Sequence, residues 1–376
     1  MAGSFKELDA SSDIVSTRTL LHEAIPLTGT IVSGTYNVGT TEHNIKNYSH
    51  GMFQSVYDYP YLSSSANHIF DITVGVSPNS SIYSSVSSQQ SKKKNIYNQM
   101  AQVLMGYDHT GSIQEFDEDG NILAGGTKLR NVFFLNFSRL LCKDEIKKGT
   151  FELELGVNKA FNQGGVTFNK RLKITDYSGS NGYFTNSPAG EYGVLYATGS
   201  NGDKILELAL TNDGVGQPAV GLLFYQAGIA VLSGSVFNDA ADGGVLNNTT
   251  TAETQQMGSD FGDTGFQHIT GSEISASADA IRNRIYNLQF NNTTELNSTI
   301  YFCRANHNEF NYSANPTYLS GSKIRVKTNS TDNPVSYITT VGLYNDNNEL
   351  MAVAKLSEPL KKTPDTEFTL RTRLDY

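Results

Sequence analysis

The chain has 376 residues, a length that allows one large or two modest domains with a sizeable buried core. Its formal net charge of −9 argues against a protein that works by contacting nucleic-acid phosphates. Charged residues make up only 17% of the chain, against about 25% in typical globular proteins. Much of the surface must therefore be uncharged and polar, which suits a protein that packs against others in a permanent assembly.

Residues 1–90 are predicted to form an N-terminal arm or a small β subdomain. Short strand candidates at 29–36 and 68–74 are separated by glycine, serine, asparagine and Tyr-Pro sequences that favour turns. The chain start lacks the basic and apolar segments of a signal peptide, and no apolar run reaches the length of a membrane-spanning helix. We therefore expect no membrane partner.

Residues 91–130 are predicted to form one amphipathic helix and a connecting loop. Between Lys93 and Tyr107 apolar residues recur at helical spacing, which indicates a helix with one buried face. The basic run Lys92-Lys93-Lys94 is interpreted as the solvated start of this helix. Apolar residues at this spacing face a protein core more often than they form a ligand site.

The acidic run Asp-Glu-Asp-Gly-Asn from Asp117 to Asn121 resembles a calcium-binding loop only in part. The calcium pattern requires a glycine and a glutamate at places occupied here by Ile122 and Lys128. The run is therefore interpreted as a solvated turn. No metal and no other cofactor is expected.

Residues 131–376 are predicted to form an antiparallel β-sandwich or jelly-roll-like body, interrupted by a polar insertion at about 237–275. Strand candidates with glycine and asparagine turns between them recur along this part. The run 219–236 is apolar on both faces and predicts either two central strands or one long bent strand. Further candidates lie at 132–142, 151–157, 171–177, 191–197, 204–210, 286–290 and 299–304. The fold class is thus mainly β.

The end of the chain contains the clearest local signals. Strand-like runs at 337–344 and 350–356 flank Asn345-Asp346-Asn347-Asn348, which has the composition of a hairpin turn. Residues 368–376 alternate between apolar and polar and predict a final strand inside the sandwich. Cys142 and Cys303 fall in predicted strands and are expected to be buried free thiols, since two cysteines cannot form a disulfide framework.

Several segments resemble virion structural proteins of large contractile-tailed bacteriophages of marine hosts. The resemblance rests on two segments. Residues 309–316 read Glu-Phe-Asn-Tyr-Ser-Ala-Asn-Pro, and residues 339–346, in the predicted hairpin, read Thr-Thr-Val-Gly-Leu-Tyr-Asn-Asp. Weaker matches lie in the same order at 69–75, 96–102, 144–151 and 223–232. The family positions that match are Glu309, Asn311, Asn315, Pro316, Gly342, Tyr344 and Asn345.

This resemblance implies a structural protein of the virion, in its tail or baseplate, that is assembled in the host cytoplasm. Its implied partners are other virion proteins and copies of itself, with contact to a glycan or the host surface left open. A receptor- or glycan-binding appendage, a neck or capsid-associated protein and a tail-associated glycosidase remain alternatives. No motif for nucleophilic, phosphate-binding, zinc or dinucleotide chemistry is found, so no enzyme is expected. The nearest to a catalytic pair is His307 with Glu309.

Overall fold

The computed structural model describes residues 5–26, 44–121, 125–156, 171–199, 211–237, 273–282, 285–313, 317–321, 323–324, 329 and 331–376. Within them the chain is mainly β, which confirms the predicted fold class. The helices are α1 (Ser88–Leu104), α2 (Arg139–Cys142) and α3 (Ile274–Arg282). The strands are β1 (Ile14–Pro26), β2 (Ile45–Asn47), β3 (Gln54–Tyr57), β4 (His68–Val76), β5 (Phe116–Asp117), β6 (Lys128–Leu129), β7 (Asn131–Phe137), β8 (Glu145–Ile146), β9 (Glu152–Gly156), β10 (Arg171–Thr175), β11 (Phe184–Ser187), β12 (Gly190–Gly199), β13 (Ala219–Phe224), β14 (Ile229–Ser233), β15 (Ile285–Ala305), β16 (Leu319–Ser320), β17 (Lys323–Ile324), β18 (Ser336–Tyr344), β19 (Leu350–Lys362) and β20 (Phe368–Asp375).

The chain forms two compact units, a larger one of residues 22–294 and a smaller one that combines residues 1–21 with residues 295–376. These boundaries differ from a division near residues 90 and 130, because β2, β3 and β4 pair in sequence onto β7. The strand candidates at 29–36 and 204–210 and residues 238–272 of the expected insertion lie outside the described residues.

An antiparallel sheet organises the larger unit, with the strand order β15-β9-β10-β12-β13-β14-β7-β4-β3-β2. The apolar run at 219–236 forms two of its strands, β13 and β14, which confirms the first of the two alternatives. Every residue of both strands is buried, so both faces of this strand pair are covered by other parts of the protein. This explains why the run is apolar at consecutive positions and does not alternate.

Two apolar clusters cover the two faces of this sheet. Alternate residues of β7 contribute to them, Phe133, Leu135 and Phe137 to the first and Val132 and Phe134 to the second. The first cluster also joins strands that are distant in the strand order. The ring of Phe137 lies 6.2 Å from that of Phe70 in β4 and 5.3 Å from that of Phe290 in β15, centroid to centroid. The sheet therefore encloses this cluster in a sandwich-like manner.

Helix α1 covers the second cluster. Its buried face carries Ile96, Tyr97, Ala101 and Leu104, which follow the predicted stripe. The helix begins earlier than the expected residue 93, because the Ser87 hydroxyl caps it by accepting a hydrogen bond from the Gln90 N–H. None of the helices in the described part of the chain is both long and apolar enough to span a membrane.

The interpretation of Lys93 as a solvated residue is wrong. Its side chain is fully buried on the same helix face as Tyr97, while Lys92 reaches outward to the His50 carbonyl at 3.2 Å. Burial lowers the pKa of Lys93 to about 8. The larger unit thus carries a buried lysine whose charged form is strongly disfavoured.

The acidic run after α1 forms a turn, but its first two carboxylates are not solvated. Asp117 and Glu118 are each 1% exposed. Asp117 pairs with Lys128 across β5 and β6, and Glu118 accepts a hydrogen bond from the backbone N–H of Thr211. Burial raises the pKa of both carboxyls. The turn itself is as predicted, since Gly120 has a φ of +76°.

A buried carboxylate ties together segments that are far apart in the chain. Asp176 is fully buried and accepts hydrogen bonds from the backbone N–H groups of Gly149, at 2.7 Å, and Phe151, at 2.9 Å. The Tyr225 hydroxyl lies beside it, and burial together with the Asp176 charge raises the pKa of that tyrosine well above its usual range. Lys148 binds Glu191 at 2.5 Å next to this group. The segments 144–151 and 223–232 therefore meet at one polar network.

Both cysteines are free thiols. Cys142 is buried, but it lies in α2 and not in a strand, because the carbonyl of Ser138 accepts bonds from the N–H groups of Leu141 and Cys142 and turns the chain. Cys303 lies in β15, as predicted, but is only half-buried. Burial raises the pKa of Cys142 to about 12.

We expect alkylation of the folded protein at mildly alkaline pH to leave Cys142 unmodified, because a buried thiol with this pKa forms almost no thiolate. Cys303 should react slowly, and both residues should react once the chain is denatured. Peptide mass analysis after iodoacetamide treatment measures this. Modification of Cys142 in the native protein, or recovery of a peptide linked through both cysteines, would contradict the expectation.

The smaller unit is built around the strands β1, β15 and β20 and the β18–β19 hairpin. Strand β20 pairs with β15 over eight residues, from Phe368 opposite Ala305 to Asp375 opposite Ser298. The final strand and its alternation are therefore confirmed. Its apolar residues are only half-buried, however, and Tyr376 is 75% exposed, so this strand is not enclosed as the sequence predicts.

Candidate interaction surface

The predicted hairpin near the end of the chain is confirmed as β18 and β19. Asn345 closes the turn between the two strands. Its side-chain oxygen accepts the backbone N–H groups of Asn347, at 3.0 Å, and Glu349, at 2.8 Å, and its amide donates to the Glu349 carboxylate at 2.7 Å. Asn348 takes a left-handed conformation with a φ of +63°, which asparagine tolerates better than most residues. The turn is therefore held in one shape by its own side chains.

Gly342 allows the ring of Tyr344 to lie close to the hairpin backbone. A Cβ atom at this position would lie 2.9 Å from Cε2 of Tyr344 and 3.2 Å from Cδ1 of Leu350. Any larger residue would push both side chains away. Gly342 pairs with Val353 and Tyr344 pairs with Leu350, and paired residues share a face of a two-stranded sheet. One face of the hairpin end is thus apolar.

Phe5 extends this face from the other end of the sequence. Its ring meets that of Tyr344 edge to face, with 4.9 Å between centroids. We call Phe5, Tyr344, Leu350 and Val353 the apolar hairpin surface; their exposed fractions are 56, 47, 52 and 52%. A contiguous set of large apolar side chains that is half open to water is typical of a protein contact site.

A polar segment supports the base of the hairpin. The ammonium group of Lys362 is fully buried there and donates to Oδ1 of Asn311 at 2.8 Å, the Thr363 carbonyl at 2.9 Å and the His307 carbonyl at 3.2 Å. Burial lowers its pKa. Three acceptors match the three donors of a lysine, so the end of β19 is fixed to the 307–311 segment.

Glu309 ties the same segment to the N-terminal residues. Its Oε2 accepts from the Lys6 ammonium group at 2.7 Å and from the Asn306 N–H at 3.0 Å. The hydrogen bond from Lys6 is the main cause that lowers the pKa of this carboxyl. His307 is directed elsewhere and meets Glu367 at 3.3 Å, with both side chains exposed. His307 and Glu309 therefore do not form the acid–base pair considered above.

The structure divides the residues that carry the resemblance between two places. Gly342, Tyr344 and Asn345 build the end of the hairpin. Asn311 binds Lys362 at the base of the hairpin, and Glu309 ties the segment of Asn311 to Lys6. Asn315 and Pro316 lie outside the described residues.

Sequence reasoning missed Phe5 and Val353 of this surface and Lys362, which fixes the base of the hairpin. Phe5 and Lys362 carry no local signal, because their partners lie far away in the chain. Val353 did have a signal: it is an apolar residue opposite a glycine in a hairpin whose register is set by the turn.

The smaller unit buries few apolar side chains. Among its described residues only Ala305 and Val335 are buried hydrophobics, and both large apolar clusters of the described chain belong to the larger unit. Its charge is nearly balanced, with 11 basic and 12 acidic residues in 1–21 and 295–376. The unit thus combines an exposed apolar surface with little core of its own.

Comparison of the chain with protein-family models, with curated proteins and with solved structures found no match.

Proposed function

We propose that this chain is a structural component of a tailed-phage virion, in its tail or baseplate, and that it works by forming permanent protein–protein interfaces. The observation that carries the proposal is the smaller unit, which exposes the apolar hairpin surface while burying only two apolar residues among those described. A unit of this size ordinarily needs a larger core than that. Neighbouring protein subunits would supply the missing cover.

The occupant of the apolar hairpin surface is a second copy of this chain. The net charge of the smaller unit is −1, whereas that of the whole chain is −9, so most of the charge that repels like copies lies in the other unit. The surface is also preorganised, because Asn345 fixes the turn and Lys362 fixes the base. Preorganisation reduces the entropy lost on association.

The family resemblance of segments 309–316 and 339–346 supports the placement in a virion. These are the segments that shape and anchor the hairpin. A structural role accounts for their asparagine, glycine and tyrosine residues through turn formation and packing, with no catalytic step. Other virion proteins are the further partners we propose. Nucleic acid and membranes are not among them.

Replacing Tyr344 and Val353 together with serine should abolish self-association and leave the fold intact. Both side chains are about half exposed, so the change removes apolar contact area between copies and little from the interior. Sedimentation analysis over a wide concentration range should show oligomers for the natural chain and monomers for the double variant. The melting temperatures of the two should agree closely.

The matched control replaces Leu62 and Val86, which are 86 and 93% exposed in the larger unit, with serine. It removes a similar apolar area and should not change the oligomeric state. A natural chain that stays monomeric at all concentrations, or a control that loses association equally, would overturn the role of the hairpin.

The placement in a virion needs a separate experiment. Mass spectrometry of purified particles should find the chain at a fixed stoichiometry, and cryo-electron microscopy should locate it in the tail or baseplate. Absence from the particle would refute the proposal. So would turnover of a host polysaccharide by the purified chain that a single carboxylate substitution abolishes.

A further inference from the structure

A polar pocket of about 270 Å³ opens in the larger unit beside the buried acidic turn that follows α1. One wall is formed by the segment that precedes α1, and the others by residues around β5, β6 and the end of β14. Uncharged hydrogen-bonding side chains dominate its lining, namely Asn79, Ser80, Ser81, Asn131, Ser233 and Ser235.

Glu118 lines this pocket and carries an unused acceptor. The residue is 1% exposed, and its Oε1 accepts from the Thr211 N–H. Its Oε2 is buried and has no hydrogen-bond partner among the residues that the structure describes. Buried carboxylate oxygens are almost always satisfied, because leaving one without a donor costs about 1–3 kcal/mol or more. The unsatisfied oxygen points to a donor supplied by a ligand.

The two cations of the lining are already neutralised. Lys128 pairs with Asp117, and Nε of Arg130 lies 3.3 Å from Oε2 of Glu115. An anionic ligand would meet the Glu118 carboxylate, and a cationic ligand would lie close to Lys128 and Arg130. The charge balance therefore favours a neutral ligand.

The same wall also offers donors. The Ser80 hydroxyl donates to Oδ1 of Asn131 at 2.7 Å, which orients that amide and leaves its NH₂ group as a donor. The Asn79 amide donates to Glu115 at 3.3 Å and is fixed in turn. Acceptors and donors thus lie side by side in a preformed cavity. Such a lining matches a ligand whose groups both donate and accept.

We propose that this pocket binds a neutral sugar residue of a glycan, with a sugar hydroxyl donating to Oε2 of Glu118. Sugar hydroxyls both donate and accept, so they satisfy the carboxylate and the amide and serine groups together. The proposal concerns the larger unit and does not depend on the proposed interface or on a place in a virion.

Saturation-transfer NMR with the full chain tests this directly. The probes are glucose, galactose, mannose and N-acetylglucosamine, with glucosamine and sialic acid as the charged counterparts. At least one neutral sugar should receive saturation, and the charged sugars should not. Glu118→Gln should weaken binding about tenfold or more, because the amide turns the free acceptor into a donor and clashes with the sugar hydroxyl.

Two further variants keep the result interpretable. Ser81→Leu changes an exposed serine at the rim, so it should fold normally and still weaken binding by narrowing the opening. Glu358→Gln changes an exposed carboxylate in β19 and should bind like the natural chain. The proposal fails if no neutral sugar receives saturation, or if both Ser81→Leu and Glu118→Gln bind the sugar as the natural chain does. It also fails if titration calorimetry shows that the pocket binds calcium and that this binding depends on Glu118.

Discussion

Replacing Asp176 with alanine is expected to destabilise the larger unit strongly. The natural carboxylate is fully buried and holds the N–H groups of Gly149 and Phe151, both in the segment that leads into β9. Alanine leaves the buried N–H of Phe151 without an acceptor, at about 1–3 kcal/mol, removes the hydrogen bond of the more exposed Gly149 N–H, and opens a cavity beside Tyr225. A total loss of about 3–5 kcal/mol is a large part of the stability of a typical domain.

Urea unfolding followed by circular dichroism measures this loss as a lower midpoint. The urea midpoint of Asp176→Asn should lie between those of the natural chain and Asp176→Ala, since an amide retains one acceptor oxygen for the two donors. Asp346→Ala is the matched control, because Asp346 is exposed in the hairpin turn and should shift stability by no more than about 0.5 kcal/mol. An Asp176→Ala midpoint equal to that of the control would show that the network does not hold the fold.

The second large effect is a pH dependence caused by Lys93. Its pKa is about 8 in the folded chain, below its usual value of 10.5. Between these values the unfolded chain holds a proton that the folded chain has released, so the contribution of Lys93 to stability rises as pH increases from about 8 to 10.5. Below pH 8 both the folded and the unfolded chain carry the charge of Lys93, so this contribution no longer changes with pH.

Lys93→Met should therefore be more stable than the natural chain at neutral pH, by about 3 kcal/mol, and the difference should disappear near the usual lysine pKa. Chemical unfolding of both proteins at several pH values between neutral and strongly alkaline gives the difference directly. Lys92→Met, one residue away on a half-buried side of the same helix, is the control and should gain less stability at neutral pH than Lys93→Met. A Lys93→Met profile that parallels the natural chain would refute the argument.

Local patterns in the sequence were sufficient for the elements that local physics decides. The β18–β19 hairpin follows from its asparagine-rich turn, and α1 follows from the spacing of Ile96, Tyr97 and Ala101. Lys93 had a usable signal as well. It lies four residues before Tyr97 and thus on the same helix face, but its charge suggested a solvated position.

The remaining features depend on residues that meet only in the folded chain. Nothing near Glu118 indicates burial, because the N–H group that binds it belongs to Thr211, 93 residues later. Phe5 likewise gains its meaning only from Tyr344. The smaller unit is assembled from two distant parts of the sequence. Their pairing is tertiary, so no local sequence pattern predicts it.

The division of the chain also sets an order of events during synthesis. The larger unit is made from residues 22–294 and can form while the ribosome is still adding the segment that follows. The smaller unit must wait, because β15, β18, β19 and β20 all contribute to it and the last of these ends at Asp375. The apolar hairpin surface needs β18 and β19, so it forms only after residues 22–294 have been synthesised and the larger unit can already be folded.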